Sequence, residues 1–305
     1  MTFEELKALD DAYIMHTYGR FPVDIDHGEG ATLYSLSGRK YIDFTSGIGV
    51  NSLGYGNEKW MAAITAQIGK LGHISNLFYT QPGPLLAREL CTRSGLSKVF
   101  FGNSGAEANE AMIKVARKYS FDKYGKGRST VITLNHSFHG RTITTLTATG
   151  QDSYHNYFFP FNEAFRYADP TLESVQAQGG EDVCGVMLEL IQGEGGVRPL
   201  DPKEVQAIAD LCREKDWLLL VDEVQTGIGR TGTLFAFQQF GIQPDVVSFA
   251  KGDRRGSPPG GHPDQREVFY CPHPRYPRLH LRGHPSPPPQ VWRYWRPWTR
   301  PSWTG

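Results

Sequence analysis

The sequence predicts an α/β fold with a mostly parallel central sheet and helices on both faces. Two observations support this prediction: strand-like and helix-like segments alternate from Lys98 onward, and two late strands are almost wholly apolar. Near-continuous apolar runs such as WLLLVDE and DVVSFAK are typical of parallel strands that helices cover on both sides. The chain has 305 residues, which is long enough to bury a sizeable core.

The predicted elements follow one another in a regular order. Residues 21–54 alternate apolar and polar side chains between Gly and Ser turns, which predicts short strands or hairpins. The periodicity beyond them predicts a helix over 58–71, a strand over 98–102, a helix over 105–125, strands over 129–134 and 182–190, a helix over 201–217, and strands over 217–223 and 245–251. We therefore divide the chain into an N-terminal segment with short strands (1–50), a large domain (51–252) and a tail (253–305).

Composition argues against several classes of partner. Lys+Arg and Asp+Glu both number 32, so no overall field points to nucleic acid or to an anionic membrane. The N-terminus is acidic and amphipathic, unlike a secretory signal, and no apolar stretch approaches the roughly 20 residues of a membrane span. The cysteines lack metal spacing and are interpreted as buried side chains in a reducing, cytoplasmic compartment; they are Cys91, Cys184, Cys212 and Cys271.

The tail differs in composition from the rest of the chain. Residues 253–305 hold 12 of the 20 prolines, four of the six tryptophans and nine arginines, but no Lys, Ala or Ile. Such a segment is either a genuine Pro-rich disordered or ligand segment, or the product of translation in the wrong reading frame. Because the change falls inside an apparent motif, the second interpretation is favoured. A stretch such as VWRYWRPWTR could also stack on single-stranded nucleic acid or recruit a partner.

Two turns that follow strands carry residues suited to chemistry. In FFGNSGAEANEA, backbone N–H groups of Ser104, Gly105 and Ala106 at a helix start form a ready phosphate site, although Ser104 and Glu107 also suit a capping box. In NHSFHGRT, an aromatic ring could stack on a flat cofactor while Arg141 binds a carboxylate. A loop with a buried Phe and a surface Arg would give the same pattern.

Acidic residues and a lysine end the last two strands. VDEVQTG places Asp222 and Glu223 where ligands of open α/β sheets bind, and either a cationic ring nitrogen or Mg²⁺ would suit them. No GxxxxGK[ST] motif supports a nucleotide site. Burial of Lys251 would lower its pKa and make it a nucleophile for a carbonyl, unless its amine merely extends to solvent. A phosphate turn, an aromatic, an Asp and a Lys in this order are the groups needed to hold pyridoxal phosphate.

The sequence resembles the class III, ornithine-type pyridoxal-phosphate aminotransferases over roughly residues 10–252. The matching stretches are GEGATLYSLSGRKYIDFTSGIGVNSLG, FFGNSGAEANEAMIKVARKY, SFHGRTITTLTATGQ, LELIQGEGG, LLLVDEVQTGIGRTG and PDVVSFAKG. The resemblance implies fold type I, a homodimer, and a C-terminal small domain that is not readable here. Leu190 stands where the family usually has Pro.

The resemblance also implies a role for each matching residue. The cofactor-binding set comprises Ser104, Gly105, Ala106, Phe138, Asp222, Glu223, Val224, Gln225 and Lys251. Within it, Lys251 would be the Schiff-base lysine and proton shuttle, and Asp222 would pair with the pyridine nitrogen. Phe138 and Val224 would pack on the two ring faces, and Gln225 would reach the phenolic oxygen. Arg141 would bind the substrate α-carboxylate, while Glu189 and Glu194 would orient Asp222 and shape the substrate pocket.

The FHGRT form favours the acetylornithine branch of the family. The implied reaction transfers the amino group of N2-acetyl-L-ornithine to 2-oxoglutarate, as in arginine biosynthesis. Ornithine, succinyldiaminopimelate and 4-aminobutyrate are alternative amino donors, and a catalytically dead remnant or a binding protein is the non-enzymatic alternative. Neither a metal nor a nucleic-acid or membrane partner is expected.

Overall fold

The structure is a computed structural model that describes residues 1–254 and 267–269, with side chains described through Gly252. The predicted tail over 253–305 therefore lies outside the described residues, except for two short backbone segments. The division of the chain at residues 50 and 252 stays a prediction.

The helices lie where capping residues and apolar periodicity place them. Thr2, Asn57, Ser104, Thr142, Thr171 and Asp201 each accept a backbone N–H from the first turn of a helix. The helices are α1 (Phe3–Tyr13), α2 (Ser46–Gly49), α3 (Glu58–Lys70), α4 (Pro82–Ser94), α5 (Gly105–Tyr124), α6 (Ile143–Ala148), α7 (Leu172–Ala177), α8 (Pro202–Lys215), α9 (Phe237–Phe240) and α10 (Lys251–Arg254). A 3₁₀ turn spans Asp152–Tyr154.

The strands form three sheets. They are β1 (His27–Glu29), β2 (Thr32–Tyr34), β3 (Lys40–Ile42), β4 (Phe100–Gly102), β5 (Thr130–Leu134), β6 (Phe165–Ala168), β7 (Val183–Leu188), β8 (Ile191–Gln192), β9 (Arg198–Pro199), β10 (Leu218–Asp222), β11 (Val246–Ser248) and β12 (Glu267–Phe269). The central sheet has the order β4-β12-β11-β10-β7-β5-β6, and β1-β2-β3 form a small antiparallel sheet. Within the central sheet β12 is antiparallel to β4 and β11, while the pairs from β11 to β6 are parallel.

Two hydrophobic clusters cover the two faces of this sheet. Leu219 and Val221 of β10 belong to the cluster that contains the buried face of α8. Leu218 and Leu220, which alternate with them, belong to the cluster that contains α5. Successive side chains of a strand point to opposite faces, so a strand covered on both sides is apolar at every position. The predicted fold class, a mostly parallel sheet with helices on both faces, is confirmed.

Boundaries and some short elements differ from the sequence expectations. The strand predicted over 245–251 ends at Ser248, and Lys251 begins α10 instead of ending the strand. Helix α4 and the edge strand β6 were not predicted, since α4 begins with two prolines in PGP and β6 is a short mixed segment FRYA. Among the described residues, no helix combines the length and apolarity that crossing a membrane requires.

Candidate active site

The predicted site residues meet at one edge of the central sheet. Parallel strands end at a common edge, and open α/β sheets bind their ligands there. Each of β4, β5, β7, β10 and β11 ends next to at least one residue that the sequence singles out. The chemistry-bearing side chains therefore come together because the fold aligns strand ends, although they lie far apart in the sequence.

The first turn of α5 is the segment in which the sequence predicts a phosphate site. Gly105 and Ala106 are its first two helical residues, whose N–H groups lack partners within the helix. The Ser104 hydroxyl accepts the Glu107 N–H at 3.1 Å, as the capping prediction requires. The other half of that prediction is wrong: the Glu107 carboxylate reaches back to the backbone N–H and side-chain amide of Asn103, at 2.6 and 2.9 Å, and not to Ser104. Asn103 offers two donors to one oxygen, which explains the difference.

Small residues are required where this turn meets its neighbours. A Cβ on Gly105 would lie 2.8 Å from Cγ1 of Val224, so only a glycine lets the β10 loop pack on the helix start. Gly140 has φ +135°, and a Cβ there would meet the Thr145 hydroxyl at 2.6 Å and the Ala106 methyl at 3.0 Å. The three loops after β4, β5 and β10 thus converge around Gly105 and Ala106.

Asp222, at the end of β10, is buried and held by several donors. Its Oδ2 accepts from the Asn109 amide at 2.7 Å and from Nδ1 of His139 at 2.8 Å. Its Oδ1 accepts the Val224 N–H at 2.9 Å. An ionised carboxylate is satisfied by such donors, so this arrangement maintains a buried negative charge ready to meet a cationic group.

The Glu189 carboxylate bonds to the loop that carries Phe138. Its Oε2 accepts the Phe138 N–H at 2.9 Å, so it fixes the loop that carries the aromatic ring. The pKa of Glu189 is raised to about 7, and burial is the largest cause. The interaction with His139 lowers this pKa in part, and the negative charge of Asp222 raises it further. The structure assigns the orientation of Asp222 to Asn109 and His139 instead.

Lys251 lies at the same edge of the sheet and is partly exposed to solvent. Its side chain is 22% exposed, and Nζ lies 3.9 Å from Oε1 of Glu194, which is itself more exposed. Burial lowers the pKa of Lys251, while Glu194, Asp222 and Glu189 raise it in part. A depressed pKa supplies a larger fraction of neutral amine, the form that attacks a carbonyl or removes a proton.

Arg141 has its guanidinium exposed and shared between two rings. Nη1 donates to the hydroxyl of Tyr18 at 2.9 Å, and the guanidinium carbon lies 5.6 Å from the Tyr18 ring centroid and 5.8 Å from that of Phe138. The half-buried Phe138 ring also contacts Tyr154, at 5.5 Å between centroids. An exposed guanidinium held over aromatic rings is suited to bind a carboxylate.

Two further predicted residues occupy distinct positions. The Glu223 carboxylate faces away from the cluster: it accepts the Ala236 and Phe237 N–H groups at 2.8 Å and the Thr226 hydroxyl at 2.9 Å, and the residue is fully buried. The sequence expectation that Glu223 contacts a cofactor is therefore not supported by its position. The side chain of Gln225 packs tightly on Gly193. A Cβ added at Gly193 would lie only 1.6 Å from Oε1 of Gln225.

Sequence reasoning missed Asn109, Tyr18 and Ser248. Asn109 lies one helical turn after Gly105 and is 1% exposed, and a polar residue on the buried face of a helix is the signal that could have identified it. The hydroxyl of Ser248 donates to Oδ1 of Asn109 at 2.6 Å. Nothing in the local sequence around Tyr18 marks it as a partner of Arg141.

These residues fit pyridoxal phosphate. The first turn of α5 offers N–H donors and a positive dipole end to a phosphate. Asp222 offers a carboxylate oxygen to a protonated ring nitrogen, Val224 and Phe138 supply apolar surface, and Lys251 supplies an amine with a lowered pKa. The donor set, and not any one residue, gives the fit.

Known proteins resemble this chain closely. Residues 13–274 match the family described as Aminotransferase class-III. The acetylornithine aminotransferase of Haemophilus ducreyi is 54% identical over 262 residues, covering 85% of this chain and 67% of that protein.

Solved structures show the same fold. The ornithine aminotransferase of Toxoplasma gondii ME49 superposes with a TM-score of 0.82 at 30% identity, covering 90% of this chain and 64% of that one, and another structure of the Toxoplasma gondii enzyme has partial occupancy of PLP at its active site. N-acetylornithine aminotransferase from Stenotrophomonas maltophilia K279a superposes with a TM-score of 0.71 at 35% identity, and the match covers 87% of this chain and 64% of that one. The chain spans about two thirds of the length of the curated relatives it matches. With the family match covering most of its residues, this chain belongs to the class-III aminotransferases.

Proposed function

We propose that this chain binds pyridoxal 5′-phosphate and transfers the amino group of N2-acetyl-L-ornithine to 2-oxoglutarate. The products are N-acetyl-L-glutamate 5-semialdehyde and L-glutamate, the chemistry of EC 2.6.1.11 in arginine biosynthesis. The observation that carries the proposal is the meeting of Asp222, Lys251 and the first turn of α5 at one sheet edge. The 54% identity to an acetylornithine aminotransferase supports the choice of substrate.

Each residue has a defined task in this reaction. When bound, pyridoxal phosphate would supply an aldehyde for the amine and a ring that withdraws electrons from the substrate carbon that carries that amine. The N–H groups of Gly105 and Ala106 bind the phosphate, and Asp222 keeps a proton on the ring nitrogen. Val224 and Phe138 exclude water from the ring faces, and Lys251 Nζ moves the proton at the substrate carbon that carries the transferred amine.

Arg141 is the proposed substrate anchor. Its bidentate guanidinium binds the α-carboxylate of the amino donor, at the end of that substrate remote from the reacting δ-amine. The Tyr18 hydroxyl, at 2.9 Å from Nη1, holds the guanidinium in place. Glu194, whose Oε1 lies 3.9 Å from Lys251 Nζ, is the residue proposed to shape the substrate pocket.

We also propose that the protein acts as a homodimer in the cytoplasm. Phe44 and Ile48, in the segment before the first long helix of the large domain, are 92% and 65% exposed, and Tyr79 is fully exposed. Apolar side chains exposed in such number favour burial against a second subunit. Sedimentation of the purified chain at increasing concentration tests the dimer, and a monomer at all concentrations would contradict it.

Ornithine is the second candidate amino donor. The similarity to the Toxoplasma gondii ornithine aminotransferase, with a TM-score of 0.82, favours it. The two donors differ in an acetyl group that neutralises the α-amine, so a substrate panel with both compounds separates them.

The visible absorbance spectrum of the purified chain with pyridoxal phosphate tests the proposal. We expect a cofactor band that survives gel filtration, shifts when N-acetylornithine is added, and is absent from Lys251→Ala. Asn162→Ala, which removes one exposed amide bonded to Thr144, is the matched control and should keep the band. A wild-type chain that retains no band would contradict the proposal.

A further inference from the structure

Asn109 is buried beneath the site and forms three side-chain hydrogen bonds there. It is 1% exposed, its amide nitrogen donates to the His139 carbonyl and to Asp222 Oδ2, both at 2.7 Å, and its Oδ1 accepts the Ser248 hydroxyl at 2.6 Å. Both amide hydrogens thus face acceptors and the oxygen faces a donor. A flipped amide would face an oxygen toward two acceptors, so the partners fix its orientation.

The two oxygens of Asp222 are consequently unequal. Oδ2 accepts from Asn109 and from Nδ1 of His139, which uses both of its in-plane lone pairs. Oδ1 accepts the Val224 N–H at 2.9 Å. The Ser248 hydroxyl is 3.4 Å from Oδ1, but its single proton is directed to Asn109 at 2.6 Å. Within the described part of the chain, Oδ1 is therefore the oxygen that keeps a lone pair for another donor.

We propose that Asn109 is a positioning residue for cofactor recognition: together with His139 it saturates Oδ2 of Asp222, so that Oδ1 receives the protonated ring nitrogen. This inference rests on the proposed function, because it needs a cofactor with a ring nitrogen. Asn109 also joins α5, whose first turn binds the phosphate, to the strand that carries Asp222. One side chain thereby fixes the distance between the phosphate site and the ring-nitrogen site.

Removing the amide should weaken recognition of the nitrogen specifically. In Asn109→Ala, Oδ2 loses one of two donors and the carboxylate is free to turn, so Oδ1 is no longer directed at the ligand. In Asn109→Asp, the side chain keeps its size but places an acceptor against Oδ2, which forces the two carboxyl groups to share a proton. Both variants should recognise the ring nitrogen less well. Asn109→Asp tests this without the packing cavity that Asn109→Ala leaves behind.

The experiment compares two ligands on the 305-residue chain. Pyridoxal phosphate and its 1-deaza analogue, which has carbon in place of the ring nitrogen, are titrated against each variant by fluorescence quenching. The readout is the ratio of the two dissociation constants. Partial unfolding lowers both apparent affinities by the same factor and cancels from the ratio, so a merely structural role for Asn109 would leave the ratio unchanged.

We expect wild type to prefer pyridoxal phosphate and both Asn109 variants to lose on the order of tenfold of that preference. The control Asn162→Ala should keep the wild-type ratio. Wild-type preference with unchanged ratios in both Asn109 variants would overturn this inference and leave the proposed function intact. Equal binding of both ligands by wild type would also overturn this inference alone, whereas a wild-type chain that binds neither ligand would overturn the proposed function and this inference with it.

Discussion

Glu189 and Lys251 show that burial pushes an acid and a base of one site toward their neutral forms. Burial raises the pKa of Glu189 to about 7 and lowers the pKa of Lys251, because the charged form of each costs more away from water. Asp222 differs in having three close donors on its two oxygens. At the scale of residues, the site therefore concentrates its negative charge where hydrogen bonds compensate it.

Glu189→Gln should change how stability depends on pH. The folded-state pKa of Glu189, about 7, lies above its ordinary value of 4.5, so the folded chain holds a proton that the unfolded chain has released. The contribution of this group to the free energy of unfolding is fully present below pH 4.5 and is lost as the pH rises through about 7. The total loss is about 3 kcal/mol. Melting temperatures at pH 5 and pH 8 should show the Gln variant gaining on wild type at the higher pH. Glu163→Gln, in an exposed loop, controls for charge, and an equal difference at both pH values would contradict the prediction.

Lys251 should be acylated at lower pH than exposed lysines. Its lowered pKa increases the neutral fraction, and the nearest carboxylate, Glu194, opposes that shift. The measurement is the labelling of Lys251 by acetic anhydride at a series of pH values, followed by peptide mass spectrometry. We expect the pH midpoint of this labelling to be lower still in Glu194→Gln. Limited exposure slows the rate but does not move the midpoint. A midpoint unchanged by Glu194→Gln would show that the two groups do not interact.

At the scale of elements, helix α5 connects the turn that is proposed to bind the phosphate with strand β10, which ends at Asp222. Its first turn packs on Val224 through Gly105, and one turn later Asn109 bonds to Asp222. Its apolar side chains, including Met112 and Val115, anchor it on one face of the sheet. The helix can therefore present N–H groups at a fixed height above the strand ends, which a loop alone would not do.

Two glycine substitutions separate the packing of this element from general helix propensity. Gly105→Ala adds a methyl 2.8 Å from Val224 Cγ1 and should destabilise the chain by about 1–3 kcal/mol and weaken cofactor binding. Gly69→Ala, in α3, adds a methyl with nothing within 4 Å and should stabilise it by about 0.5–1 kcal/mol. Thermal unfolding and cofactor titration measure both. Stabilisation by Gly105→Ala would show that Val224 moves aside without cost.

At the scale of the whole molecule, the sheet is continuous only through β12. This strand lies between β4 and β11, and three of its residues pair with β4 and one with β11. The turn proposed to bind the phosphate follows β4, whereas on the other side of β12 Asp222 ends β10 and Lys251 follows β11. The backbone of Glu267–Phe269 therefore links the strands on the two sides of the proposed site, although the composition of residues 253–305 differs from that of the rest of the chain.

Two truncations test this contribution. A chain ending at residue 254 lacks β12, while a chain ending at residue 274, where the family match ends, retains it. We expect the shorter chain to melt at least roughly 3 °C lower than the longer one, because β4 and β11 lose their shared neighbour and expose unpaired backbone groups. The longer chain should have the same melting temperature as the full-length chain. Equal melting of both truncated chains would show that β12 adds no stability.

The sequence by itself determined the fold class, most of the long elements and the three strand-end turns that carry the chemistry. Those features depend on local signals: side-chain periodicity reports which faces are covered, and Gly, Ser and Pro report turns and caps. Only the tertiary structure decided which groups hold Asp222, that Glu223 faces away and Glu189 holds the Phe138 loop, and that Tyr18 joins Arg141. The bonds of Asn109 to Asp222 and of Tyr18 to Arg141 span 113 and 123 residues. No local pattern records such contacts, because they arise when separate strands end at one edge and their side chains must satisfy one another away from water.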